Sequence, residues 1–209
     1  MDIPADKLFE GNDSLKRYET MEGLGNFHFH LGHYQRARMC YERAAVLEPD
    51  EPDAYVGLGV VALQTDALED ADTAFRVACR LDKECAKGYS GLAMVAHRRG
   101  DYERAFQMYL KCLELDVDNF TALLGLFQTS CQMGSFSKVI YYLEVYIKMH
   151  PEDTSVMFSL ASLYMRDGRI LEAKKKLKEI LRLDPENEDA INLLEETEHC
   201  LSRTAQVGV

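Results

Sequence analysis

The chain repeats itself every 34 residues, and the repeat runs without an insertion through most of the 209. Tyr34-Gln35-Arg36-Ala37, followed by Tyr41 and Ala44, is answered by Leu68-Glu69-Asp70-Ala71 with Phe75 and Ala78. Tyr102-Glu103-Arg104-Ala105 with Tyr109 and Cys112 comes next, then Phe136-Ser137-Lys138-Val139 with Leu143 and Tyr146. Ile170-Leu171-Glu172-Ala173 with Leu177 and Ile180 closes the series. A second set of small residues, Gly25, Gly59, Ala93 and Ala161, stands earlier in each repeat, so that two helices can approach closely. Gly32, Gly100, Gly134 and Gly168 fall where the first helix must end on a left-handed residue, a slot that Asp66 takes in the second repeat. Pro49, Pro151 and Pro185 stop second helices and precede Asp or Asn residues suited to cap the next helix. A single pair of such helices is too thin to bury its own apolar face, whereas a stack of pairs buries a continuous one.

This pattern resembles the tetratricopeptide repeat family, whose unit of ~34 residues folds as two antiparallel helices. The resemblance implies an all-α, right-handed α-solenoid with repeats at 18–51, 52–85, 86–119, 120–153 and 154–187, forming a single domain over 18–187. Residues 1–17 lack the repeat and are expected as an N-terminal extension, with Leu8, Phe9 and Leu15 available to cover the first repeat. Residues 188–203 are expected as a capping helix that lays Ile191 and Leu194 on the fifth repeat, and 204–209 as a flexible tail. Repeat four departs from its siblings, because Phe127, Val139 and Tyr146 replace three small residues. Either these compensate for one another within the core, or they push that helix pair apart and widen the spacing within 120–149.

In the family, the inner wall of the array is lined by first helices at fixed slots of each repeat. The resemblance therefore implies a peptide-binding groove made by Asn26 and Phe29 in repeat one, Val56, Val60 and Leu63 in repeat two, and Lys87, Met94 and Arg98 in repeat three. Leu124 and Gln128 in repeat four, and Phe158, Ser162 and Arg166 in repeat five, complete it. This wall is unevenly apolar, and contiguous exposed apolar surface marks interaction sites. An amphipathic segment of another protein would take affinity from apolar anchors (Leu63, Met94, Leu124, Phe158) and direction from charged ends. Lys87, Arg98 and Arg166 would meet its acids, and Glu19, Glu22 and Asp53 its bases. Family members that hold the carboxylate terminus of heat-shock chaperones use a Lys/Asn/Asn/Lys/Arg clamp. Asn26 and Lys87 match two of those places, but Glu22, Gly57 and Gly91 stand at the others, and a glutamate there repels a carboxylate.

Other chemistry finds little support. The net charge of −11 lacks the basic footprint of a nucleic-acid binder, although 86–185 holds 14 bases against 12 acids. No run approaches ~18 consecutive apolar residues, so no membrane insertion is expected. The start, Met1 to Asp6, has neither a basic leader nor an apolar run, and the six cysteines have no CxxC spacing, so reduced thiols in a cytoplasmic protein are expected. No phosphate-binding glycine loop is present, and no cofactor is expected. His28, His30 and His33 lack the i,i+4 spacing of metal pairs and are expected to lie apart. Cys131 and His97 occupy equivalent slots of adjacent repeats, too far apart for a nucleophile–base pair at ~2.6–3.2 Å. The expectation is a non-enzymatic scaffold or adaptor binding a peptide or helix of a partner protein. Two alternatives are a secretion or assembly chaperone holding a client subunit, and a homo-oligomer in which 1–17 docks on a neighbour. Lys174, Lys175, Lys176 and Lys178 are read as a solvated outer helix face.

Overall fold

The computed structural model describes the backbone of residues 5–207 and the side chains of 13–203. Among the described residues the chain is all-α, with eleven helices. They fall into two compact halves, Met1–Asp116 and Val117–Val209.

In the first half, α1 (Ala5–His30) and α2 (Tyr34–Leu47) form repeat one, α3 (Pro52–Gln64) and α4 (Leu68–Leu81) repeat two, and α5 (Ala86–Arg98) and α6 (Tyr102–Leu115) repeat three. Helix α1 begins well before residue 18, so much of the expected extension is a continuation of the first repeat's own helix. Ser14 ties it to the end of α2, its hydroxyl donating to the Leu47 carbonyl at 3.3 Å. The capping role expected of Leu8 and Phe9 falls outside the described side chains.

Close packing here depends on rings seated against missing side chains. The Tyr41 ring, 3% exposed, lies where a Cβ on Gly25 or Gly57 would come within 2.6 or 2.5 Å of it. The Phe75 ring, 1% exposed, lies likewise between Gly59 and Gly91. Each second-helix aromatic thus fills a notch cut by its own first helix and the next one. The turns follow the sequence: Gly32 and Gly100 have φ of +73° and +77°, and Asp66 takes the same left-handed conformation at +60°.

In the second half, α7 (Phe120–Met133) and α8 (Ser137–Met149) form repeat four, α9 (Thr154–Arg166) and α10 (Ile170–Leu183) repeat five, and α11 (Glu188–Val207) follows. Side chains of Asn119, Asp153 and Asn187 accept the N–H groups of Ala122, Val156 and Ala190, capping α7, α9 and α11. Along their lengths α7 and α8 stay farther apart than the two helices of any other repeat. Bulk at one slot accompanies this: Val139 is fully buried where Ala37, Ala71, Ala105 and Ala173 let the other pairs close up.

Helix α11 docks in a different register from the expected one. Ala190 and Thr197 are fully buried, whereas Ile191 is 37% exposed. Thr197 donates to the Leu193 carbonyl at 2.6 Å and contacts Met165 Sδ at 3.2 Å. The reason is the period itself. Ala190 continues the buried series Ala54, Gly88, Ala122 and Val156, and Thr197 continues Val61, Val95, Thr129 and Leu163, each step being 34 residues. Helix α11 therefore packs as the first helix of an incomplete sixth repeat. Lys174, expected in water, instead pairs with Glu198 of α11 at 2.8 Å.

Candidate functional site

The predicted groove residues of the first half are largely consumed by the fold. Val56 and Leu63 are 9% and 5% exposed and pack with Phe75, Leu92 and Val95, with Val60 and Met94 laid partly buried against them. They offer no exposed anchor, because the longer side chains of the next repeat cover them. Lys87 forms an ion pair with Asp53 at 3.0 Å, and Arg98 donates to the Leu63 carbonyl at 3.0 Å and to Asp66 at 3.4 Å. Both bases, expected to receive a ligand's acids, instead latch repeat three onto repeat two. Arg99 and Arg104 do the same through Glu69 and Asp72. Asn26 accepts the Tyr41 hydroxyl at 2.7 Å and donates to Glu22, and Phe29 packs on Tyr34. Gly57 and Gly91, which stand at clamp positions, have become the floors of the ring notches. A side chain there and the Tyr41 and Phe75 rings exclude one another.

The second half is different. Helix α7 carries no charged residue at all, and α9 carries one, Arg166. Leu124 is 46% exposed and Phe120 47%, an expensive display of apolar surface on one helix. Between them opens a cavity of about 210 Å³ lined by Phe120, Leu123, Leu124, Phe127, Leu143 and Val156, with Ser155 and Ser159 on the α9 side. The Ser155 hydroxyl donates to Asp153, and those of Ser159 and Ser162 to carbonyls one turn back, so the three hydroxyl protons are already committed to the chain's own acceptors. At the rim the Phe120 ring rests on Tyr146, Tyr146 stacks on His150 with centroids 4.4 Å apart, and His150 meets Asp118 at 2.5 Å. Gln128 is exposed, while Phe158 and Ser162 are half-buried. Arg166 is exposed; its guanidinium lies 6.0 Å from the Phe136 ring centre and has no carboxylate partner among the described residues.

A second cavity, of about 340 Å³, lies on the second helices α2 and α4 over α3. Its lining mixes Arg38, Glu42 and Asp70 with Tyr34, Leu58 and Val77, and sequence reasoning did not mark it. Nor did it mark Phe27, which is 58% exposed at the slot that Val61, Val95, Thr129, Leu163 and Thr197 bury in later helices. The 34-residue register exposes the second of these omissions. His28 and His33, expected apart, bring their rings to 5.8 Å, and His30 packs on Phe29. Burial pushes the Cys79 and Cys112 thiols up to about 12, which keeps them protonated and unreactive at neutral pH.

Models of the tetratricopeptide repeat match residues 23–84, 89–123 and 154–187, together more than half of the chain. The chain belongs to the tetratricopeptide repeat family, a class of all-α repeat proteins that generally serve as interaction modules. Among curated relatives it is 22% identical to the protein CTR9 homolog of Arabidopsis thaliana, over 80% of this chain and 19% of that one. It spans between 19% and 31% of the first relatives it matches. Among solved structures it is similar to Pseudomonas aeruginosa pilF, with a TM-score of 0.70 and 18% identity over 88% of each chain. It is similar also to YrrB, described as a TPR protein with an unusual peptide-binding site, with a TM-score of 0.63 and 16% identity over 84% of this chain and 90% of that one. No described helix is long and apolar enough to cross a membrane.

Proposed function

We propose that the chain is a non-enzymatic scaffold that binds an extended or helical segment of another protein, and that the face shared by α7 and α9 is its contact surface. The observation that carries this reading is the exposure of Phe120 and Leu124 at the mouth of the 210 Å³ apolar cavity. Concave, mostly apolar sites with few polar groups are the usual form of a binding site. Here affinity comes from Phe120, Leu124 and half-buried Phe158, with Gln128, Ser162 and Arg166 around them. Of the groove expected from the sequence, the portion in repeats four and five keeps its role, and the portion in repeats one to three serves mainly to hold those repeats together. The free thiols of Cys40, Cys79, Cys85, Cys112 and Cys131 suit a reducing compartment such as the cytoplasm.

A second reading, an assembly chaperone, draws on the likeness to PilF, a type IV pilus assembly protein that is 22% identical over 81% of this chain. In this reading the client sits on the same apolar surface of α7 and α9, so the two readings differ in partner rather than in site. Peptides selected from a displayed random library on the immobilised full chain test the surface. Leu124→Glu is exposed enough to leave the helix content of the circular dichroism spectrum unchanged, and it is expected to weaken the selected peptides by at least about tenfold. Undiminished binding overturns the reading.

A further inference from the structure

The cavity in repeat four is the same notch that Tyr41 and Phe75 fill in repeats one and two. In those repeats the second-helix slot holds an aromatic ring and the facing first-helix slots hold glycines. In repeat four the second-helix slot holds Leu143, the own first helix contributes Phe127, and the next first helix contributes Ser159. Phe127 brings a ring in from the first helix, but leucine is shorter than a phenyl ring, serine is small, and α7 and α8 stand apart, so a space lined by Phe127 stays open here. Its volume exceeds the about 150 Å³ apolar cavity that admits benzene.

A cation lies on the same lane. Ser155, Ser159, Ser162 and Arg166 fall at i, i+4, i+7 and i+11 of α9, one stripe of the helix. Ser155 and Ser159 line the cavity, and Arg166, the sole charge on α7 or α9, lies seven residues beyond Ser159. That rise is about 10 Å, which three residues of an extended chain also cover. Lys87 and Arg98 already have partners within the chain, whereas Arg166 meets no carboxylate among the described residues.

Resting on the binding surface proposed above, we infer that the partner is a peptide segment that inserts a Phe or Tyr ring into the repeat-four notch and sets a carboxylate, three residues away, on Arg166. The ring completes from outside the packing that Tyr41 and Phe75 complete from within. The three serines give the intervening peptide a small, uncharged wall.

The probes are synthetic peptides of ~12 residues in a Ser/Ala background, carrying Phe, Leu or Ala at one position and Glu or Gln two to five residues away, titrated by fluorescence anisotropy onto the full chain. The Phe and Glu pair at a spacing of three residues is expected to bind best. Leu143→Phe, which supplies the missing ring from inside with the fold checked by circular dichroism, and Ser159→Phe, which blocks the notch from α9, are each expected to weaken it at least about tenfold. Arg166→Gln is expected to erase the preference for Glu over Gln while leaving that for Phe. Binding lost in Leu124→Glu yet kept in both notch-filling variants overturns the notch and leaves the surface standing. Binding that ignores all three substitutions, or a panel in which no peptide binds, overturns the notch, and indifference to Leu124→Glu overturns the surface as well.

Discussion

Replacing Gly91 by alanine puts the ring notch under direct load. A Cβ built there lies 2.3 Å from Phe75 Cε1, 2.4 Å from Cζ and 2.5 Å from Cδ1. Carbon atoms rest at about 3.5–4.0 Å, so the ring has to withdraw by more than about 1 Å. It cannot withdraw freely, because it is 1% exposed and its other contact is the Gly59 backbone of α3, where a Cβ would lie 2.6 Å from the ring. Overpacking of this kind costs about 1–3 kcal/mol. Against it stands the gain of roughly 0.8–1 kcal/mol for alanine over glycine inside a helix. Gly23→Ala isolates that gain, since Gly23 lies within α1 and nothing stands within 4 Å of its Cβ position. The two variants should therefore differ by about 1–3 kcal/mol, with propensity cancelled. For a chain of this size that is a Tm difference of about 2–12 °C by circular dichroism. Adding Phe75→Leu to Gly91→Ala should cost less than adding it to the wild type, a coupling read from a double-mutant cycle. Equal melting of Gly91→Ala and Gly23→Ala refutes the notch, and with it the comparison from which the empty site in repeat four is drawn.

Two further outcomes follow from the same architecture. Gly100→Ala forces a side chain onto a residue at φ +77° and is expected to lower stability by about 1–2 kcal/mol, measured as a shift of the urea midpoint; an unchanged midpoint contradicts the turn geometry. Acid should destabilise the fold through Asp72 and Asp153. Burial pushes both carboxyls up, but Arg76 and Arg104 around Asp72, and the Ser155 hydroxyl and Val156 N–H around Asp153, outweigh it and hold them below the usual carboxylate range. Their stabilisation is complete above the unfolded value of about 3.9 and is lost as the pH falls below it through the lowered folded values. Asp72→Asn should flatten the decline of Tm below pH ~4, and an unchanged slope removes Asp72 from the account.

The register of the repeat was legible because each of its marks has a local cause. Five left-handed turn positions, Asp66 among them, and the small residues between paired helices could be placed from spacing alone. The bulk in repeat four left two outcomes open, compensation within the core or a widened pair, and the sparse approach of α7 to α8 favours the second. What the spacing did not reveal depends on neighbours one repeat away. Leu63 sits at an inward slot, yet its exposure is decided by how Met94 and Arg98 lie over it. Lys87 and Arg98 look like ligand cations until Asp53 and the Leu63 carbonyl are found within reach. The start of α1 was missed because the repeat begins only at residue 18, although no glycine or proline breaks the chain between Asp13 and Gly23. The register of α11 was in the sequence, but only for a reader who carried the period one step past residue 187. The cavity itself depends on how Phe127, Leu143 and Ser159 meet across two repeats, which no single slot reveals.

The proposed partner lies on α7 and α9 rather than on a second exposed apolar face, formed by Leu24 and Phe27 of α1 with Leu31 just beyond its end. Anisotropy titration of one library-selected peptide onto Leu124→Glu and Phe27→Glu, both at exposed positions, separates the two faces. The account predicts at least about tenfold weaker binding for Leu124→Glu and less than about twofold change for Phe27→Glu. The reverse pattern contradicts it.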